Sequence, residues 1–272
     1  MRRHLIVCLI VGMLLGGAAF PLETADENAP LLLMSRYRVK PPLDASYEKV
    51  IGEIIAHYGA HRFAYPIYSY WFEDFSALFL TPVRDFADVE AASRHADAVL
   101  AKMGEEALAD LRRRETACTT SMDHQVLERM PRMSYIPEKW KYTRAGDHYT
   151  YWAFYRLLPE KEGLFCTTVS ELVTYLKTLD FGEVEIGWEM FRVRLGAEQP
   201  LYIYCSRGRS MVDFFVQTEK RHAIAGAPLQ RFVDTMISCA RAYTPKHAWY
   251  VRELSHLPGT GTADPDRQPV PE

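Results

Sequence analysis

The sequence predicts an α+β fold in which one βαββαβ pattern is used twice in tandem. Three observations carry that prediction. Arg36-Tyr37-Arg38-Val39 closes a strand-like run and returns as Phe154-Tyr155-Arg156-Leu157. Tyr47–Ile51 opens an amphipathic segment, as Ser170–Thr174 does later, and Tyr65–Trp71, Ala77–Leu80 and Gln125–Arg129 return as Trp188–Arg194, Leu201–Tyr204 and Ala248–Arg252. From the first helix onward the offset stays near 123 residues; over the first strand it is 118, so the second copy carries about five more residues ahead of its helix.

Each element has a local reason. In Leu31–Val39 the alternation puts Leu33, Ser35, Tyr37 and Val39 on one face and Met34, Arg36 and Arg38 on the other. Pro41-Pro42 ends the strand, and Asp44 or Ser46 can cap a helix running through His57. Tyr47, Val50, Ile51, Ile54, Ile55 and Tyr58 recur there at the spacing of a buried helix face. Tyr65–Phe72 and Ala77–Val83 form a hairpin around Glu73–Ser76, and Asp85–Lys102 is a second helix, broken at Gly104 and resumed over Glu105–Glu115. His124–Met130 closes the first unit, and Pro131–Pro137 leads to the next.

In the second copy Tyr149–Leu158 is the first strand and Pro159–Phe165 an inserted loop. Thr168 starts the helix, with Glu171 as its capping-box partner. Ile186–Leu195 and Pro200–Cys205 form the hairpin, turning at Gly196–Gln199. Ser210–Arg221 and Pro228–Ala242 are the two pieces of the last helix, parted at Gly226, and Ala248–Glu253 closes the unit. The expected layout is a signal peptide over 1–19, a mobile leader over 20–30, units over 31–138 and 149–257 joined by a linker over 139–148, and a disordered tail over 258–272.

Met1-Arg2-Arg3-His4 followed by the apolar run Leu5–Phe20 has the pattern of a secretory signal, with Gly17-Ala18-Ala19 as the cleavage region. The run is shorter than the roughly 20 apolar residues of a spanning helix, so a retained anchor is the weaker alternative. Val7 before Cys8 does not suit lipidation. The expected location is therefore periplasmic or secreted, with no stable membrane span once the signal is removed. The net charge of −3 becomes −5 when Arg2 and Arg3 leave, which gives a nucleic-acid partner no electrostatic support. Cys118, Cys166, Cys205 and Cys239 remain in an export context. They have no C-x-x-C spacing for zinc. Cys166 near the start of one helix and Cys239 near the end of its antiparallel neighbour are the preferred disulfide; four buried thiols are the plainer reading.

The element order, the Thr81–Asp88 passage from strand into helix and the broken second helix resemble the dimeric α+β-barrel superfamily over about Leu31–Leu257. That ferredoxin-like group includes antibiotic-biosynthesis monooxygenases, NIPSNAP-type proteins and the chlorite-dismutase haem enzymes. The resemblance implies two ferredoxin-like units forming an intrachain pseudo-dimer with facing antiparallel sheets around a shared interior. Aromatics on both faces of Tyr65–Phe72 agree, because helices can cover only one face of a sheet.

The sequence carries no P-loop, dinucleotide turn, nucleophile elbow or His-Glu-x-x-His, and no metal site is expected. Arg38 and Arg156 hold matching positions turned away from the helices, Arg36 lies beside the first, and Arg192 and Arg194 share a face of one strand. Facing an interior, such arginines would grip a carboxylate or phosphate; otherwise they pair with Glu185, Glu189 or Glu128, or reach solvent at the strand ends. Tyr68, Tyr70, Trp71, Trp152 and Trp188 would line an aromatic pocket or simply fill the core. Arg38, Arg156, Arg192, Arg194, Tyr68 and Trp152 are thus the candidate ligand-binding residues, and no catalytic residue is singled out.

The cofactor-free and haem-degrading relatives tend to use an Asn with Trp or His, whereas the single Asn here, Asn28, lies in the leader. The haem enzymes imply a proximal His and a distal Arg, for which His222 or His247 and Arg192 or Arg194 can be offered, both histidines reading as exposed. His57 and His61 suit the end of the first helix. The leading expectation is a non-catalytic protein holding a small anionic or aromatic molecule between sheet faces, without a cofactor. The alternatives are an oxidoreductase, haem-dependent or cofactor-free, and a self-assembling interaction module without a pocket.

Overall fold

Strand β1 (Leu31–Val39) stops where Pro41 begins a 3-10 turn, since neither proline of that turn can donate to a strand ladder. The computed structural model describes residues 30–138 and 149–258. The expected signal peptide, nearly all of the leader, the linker and the tail beyond Pro258 lie outside the described residues. Helix α1 (Asp44–Ala60) follows and buries Tyr47, Val50, Ile51 and Tyr58. Then come β2 (Tyr68–Phe72), β3 (Ser76–Val83), α2 (Phe86–Leu100), α3 (Glu105–Cys118) and β4 (Thr119–Arg129). The second half runs β5 (Tyr149–Leu157), α4 (Glu162–Lys177), β6 (Glu189–Leu195), β7 (Leu201–Gly208), α5 (Met211–Ser238) and β8 (Ala240–Tyr250).

The eight strands form one closed antiparallel barrel in the order β1-β3-β2-β8-β5-β7-β6-β4. This overturns the expectation of tandem ferredoxin-like units with two facing sheets. Two seams make the difference. β2 pairs with β8 through Tyr70↔Tyr250, Trp71↔Trp249 and Phe72↔Ala248, and β4 pairs with β6 from Val126↔Leu195 to Arg129↔Phe191. Each seam supplies partners to backbone groups that an open sheet would leave along its edge. The closing strands β4 and β8, at 11 residues each, are also longer than read. β8 starts at Ala240 rather than Ala248, and Pro245 falls where β8 has β5 as its only strand partner, since the pairing with β2 covers only Ala248–Tyr250.

An eight-stranded barrel is just wide enough for side chains to fill, and here they do. One buried cluster draws on every strand: Leu32 and Met34, Tyr68 and Tyr70, Leu78 and Leu80, Leu127, Trp152 and Phe154, Phe191 and Val193, Ile203 and Cys205, Ala248 and Tyr250. Tyr68 and Trp152, expected to line a ligand pocket between sheets, are packing residues of this interior, 3% and 0% exposed. The helices cover the outer wall. α1, α2 and α3 lie over the first half, and α4 and α5 over the second.

Local geometry corrects other boundaries. The Pro159–Lys161 turn passes straight into α4, so the expected loop is helix from Glu162 onward and Thr168 is a buried mid-helix residue, not a cap. Gly226, at φ 59° and ψ −154°, kinks α5, and Pro228 begins its second arm. Cys166 and Cys239 are separate thiols, correcting the expected bridge. Cys239 is buried at the end of α5, whereas the Cys166 Sγ donates to Tyr202 Oη at 3.3 Å.

Asp85 caps α2 by accepting from the Asp88 amide, and the buried Asp88 carboxylate accepts from Tyr65 Oη at 2.9 Å and from Arg84. Burial alone would raise the Asp88 carboxyl, but the Arg84 and Tyr65 hydrogen bonds outweigh it and hold it below its ordinary value. A depressed folded value favours the folded state above the unfolded carboxyl value of about 3.9, and the benefit fades as pH falls through the folded value. Asp88→Asn is therefore expected to lower the melting temperature at pH 7, with the gap to wild type closing as thermal melts are carried down toward pH 3. A gap that stays constant across that range would contradict the assignment.

Candidate functional site

The structure divides the sequence-predicted arginines between two places. Strands β1 and β5 run in the same direction, so Arg38 and Arg156, one residue from their ends, reach the same barrel mouth. Arg38 is 3.7 Å from Asp74, which also binds Lys246, and Arg36 pairs with Asp123 at 2.8 Å. Beneath this rim the interior is closed by Phe72 and Phe154, with Lys246 and Arg36 over their rings. At the interior's other end Glu189 accepts from Arg129 at 2.5 Å and from the buried Arg207.

Arg192 and Arg194 alternate with the interior residues Phe191 and Val193, so they face outward, away from Arg38 and Arg156. Both are paired: Arg192 with Glu162 and Arg194 with Glu128, each at 2.9 Å. They line a cleft of about 340 Å³ with Glu162, Gln199 and Pro200. Behind it Glu162 accepts from Tyr202 Oη at 2.8 Å. Burial, then the hydrogen bonds with Cys166 and Glu162, push the Tyr202 hydroxyl far above its ordinary value. This arrangement is self-satisfied and presents no free reactive group.

A different residue has the features of a reaction centre. His247 was read as lying in an exposed loop, but it stands on β8, facing outward under the first arm of α5. The Tyr149 Oη lies 2.5 Å from its Nδ1, and its backbone amide donates to Glu73 Oε2 at 2.8 Å. Tyr149 is fully buried, and burial, then the charge of Glu73, push its hydroxyl up to about 12. It keeps its proton near neutrality and has His247 as its acceptor. With Tyr149 as the donor, Nδ1 accepts, and that tautomer of the imidazole carries its hydrogen on Nε2. That Nε2 has no hydrogen-bond partner among the described residues.

Aromatic rings surround the imidazole. Tyr151 meets it edge-on with centroids 5.5 Å apart, and Phe215 lies 6.1 Å away. Phe215 and Trp249 are 43% and 40% exposed, so this wall is open on one side. Tyr151 Oη is 2.9 Å from Tyr243 Oη, a separate hydroxyl pair further along β8. The result is a half-buried imidazole flanked by aromatic rings, suited to a flat ligand carrying an oxygen.

The residues do not fit haem. His222 is exposed on α5 with its Nδ1 on the Thr218 carbonyl at 2.8 Å. His247 and the arginines of β6 are separated by β5 and β7, three strand spacings or about 14 Å. The layer between sheet and helices is filled by Tyr155, Trp188 and Phe214. Among the described residues no cluster of His, Cys, Asp and Glu could hold a metal ion, and no helix is long and apolar enough to cross a membrane. Asn28 lies outside the described residues.

No family model and no curated protein matches the chain. Solved structures do. An anthrone oxidase-like protein superposes with a TM-score of 0.60 at 13% identity, covering 88% of this chain and 98% of its own. A monooxygenase-type protein from Lactobacillus acidophilus gives 0.51 at 6% identity over 85% and 98%. Another from Fusobacterium nucleatum gives 0.52 at 8% identity over 82% and 92%. At these identities the likeness is one of fold: a closed antiparallel barrel clad in helices, formed within a single polypeptide.

Proposed function

We propose that the protein is an oxidoreductase that works without haem, oxidising an acidic aromatic ketone or phenol with dioxygen in the His247 recess. The observation that carries this reading is the His247 imidazole, locked at Nδ1 by buried Tyr149 and offering Nε2–H to an aromatic-walled opening. Fold likeness to an anthrone oxidase-like protein supports the substrate class. A ketone oxygen accepting from Nε2 gathers negative charge as the neighbouring C–H proton leaves to solvent, and a preplaced donor stabilises that charge. The resulting anion passes one electron to dioxygen, the two radicals join as a hydroperoxide at that carbon, and loss of one water leaves a new carbonyl, so one dioxygen is consumed and one water released. Phe215 and Tyr151 hold the ring system against the wall.

Oxygen uptake with anthrone as probe tests the reading. Wild type is expected to exceed the uncatalysed rate, and His247→Ala to lose roughly a hundredfold in kcat, the usual cost of removing one such donor. Tyr149→Phe is expected to lose about tenfold, because an unlocked imidazole samples the wrong tautomer. Uptake no faster than in buffer, or unchanged in His247→Ala, would overturn it.

A further inference from the structure

A second polar group lies in the same helix–wall layer with two of its three nitrogens buried and unpartnered. Arg221 is on the first arm of α5, in the register of the buried stripe Phe214, Ala225 and Leu229, and is 7% exposed. Its Nε and Nη1 are buried without a hydrogen-bond partner, and among the described residues no carboxylate lies within ion-pair distance. One turn earlier on the same face, the Thr218 hydroxyl is also buried and unpartnered. The guanidinium carbon sits 5.3 Å from the centre of the Trp188 ring. Trp188 is fixed from behind: its Nε1 donates to the Met133 carbonyl at 2.9 Å, and it packs on Tyr135 and Tyr204.

A guanidinium is always charged, and a ring face answers only part of what its N–H groups lose on leaving water. The Glu185 carboxylate is engaged elsewhere: it pairs with Arg209, and the Glu185 amide uses Gln217 Oε1. Planar donors beside a hydroxyl, on an aromatic floor, match the two oxygens of a carboxylate. We infer that Arg221 and Thr218, over Trp188, form a binding site for the carboxylate of a small molecule. The site is separate from the His247 recess, from which the rings of Tyr204 and Tyr151 divide it. It does not depend on the oxidative reading.

Titration calorimetry with acetate, benzoate and inorganic phosphate tests this without any activity assay. Wild type is expected to bind benzoate more tightly than acetate, with phosphate weakest. Arg221→Met is expected to weaken benzoate at least thirtyfold while raising the melting temperature of the ligand-free protein, since it removes an uncompensated buried charge. Arg221→Lys, which keeps charge but not the planar fork, is expected to lose about tenfold, and Thr218→Val several-fold. These two variants keep the test alive if Arg221→Met does not fold. Absence of carboxylate binding by wild type up to about 10 mM, preference for phosphate, or benzoate affinity unchanged in the variants would overturn the site.

Discussion

Replacing Gly196 by Ala is expected to be among the most damaging single changes in the chain, costing at least about 3 kcal/mol of unfolding free energy. Gly196 has φ +87°, and a Cβ built there would lie 1.9 Å from the His124 carbonyl oxygen and 3.0 Å from the Gln125 Cα. Those are backbone atoms of β4, which cannot rotate aside. The residue directly follows Leu195, whose pairing with Val126 begins the β4–β6 seam. A methyl group there therefore pushes apart one of the two junctions that close the barrel. Gly104 provides the control: its φ is +86°, but nothing lies within 4 Å of its Cβ position. Gly104→Ala should show the backbone strain alone, on the order of 1–3 kcal/mol. Urea denaturation of both variants separates the terms, and equal losses would mean that the close approach at the seam is not what demands glycine.

That seam also marks where sequence reading stops. Individual elements were legible because their causes are local: β1 was bounded by its alternation and by Pro41-Pro42, and the kink of α5 by Gly226 before Pro228. Barrel closure is not local. The edges of β2 and β8, and of β4 and β6, pair residues at least 176 and at least 62 positions apart respectively, from Phe72↔Ala248 and Arg129↔Phe191, and no repeat in the sequence says whether such edges pair or stay open. The duplicated pattern suggested two sheets; the hydrogen bonds make one.

The site was missed for a related reason. Pro245 truncated the reading of β8, so His247 was assigned to a loop, although Tyr243, Pro245, His247 and Trp249 already shared one strand face. Arg221 was visible in principle, since its spacing from Phe214, Thr218 and Ala225 is that of a single helix face. The rim arginines Arg38 and Arg156 were correctly paired by position, but the aromatic floor beneath them depends on packing that alternation cannot supply.

Trp152→Ala is expected to cost about 3–5 kcal/mol, the range for emptying a large aromatic from a closed core. Trp152 is 0% exposed, with Tyr70 edge-on to its ring at 5.7 Å and Phe72 at 6.1 Å, and its Nε1 donates to Thr150 Oγ1 at 2.8 Å. The strands around it are tied into a ring, so the wall cannot collapse far into the space left. Most of the cavity should persist, which puts the loss toward the upper end of that range. An apolar void of that size stays dry and accepts a ring of matching shape. Added indole should therefore raise the melting temperature of the variant and leave wild type unmoved, by an amount that grows with the logarithm of indole concentration. If the interior were instead a ligand site, truncation would open it further at little cost, within about 1 kcal/mol, as for residues outside a packed core. Thermal melts of wild type and variant, each with and without indole, distinguish a barrel filled by its own side chains from one built to be filled by something else.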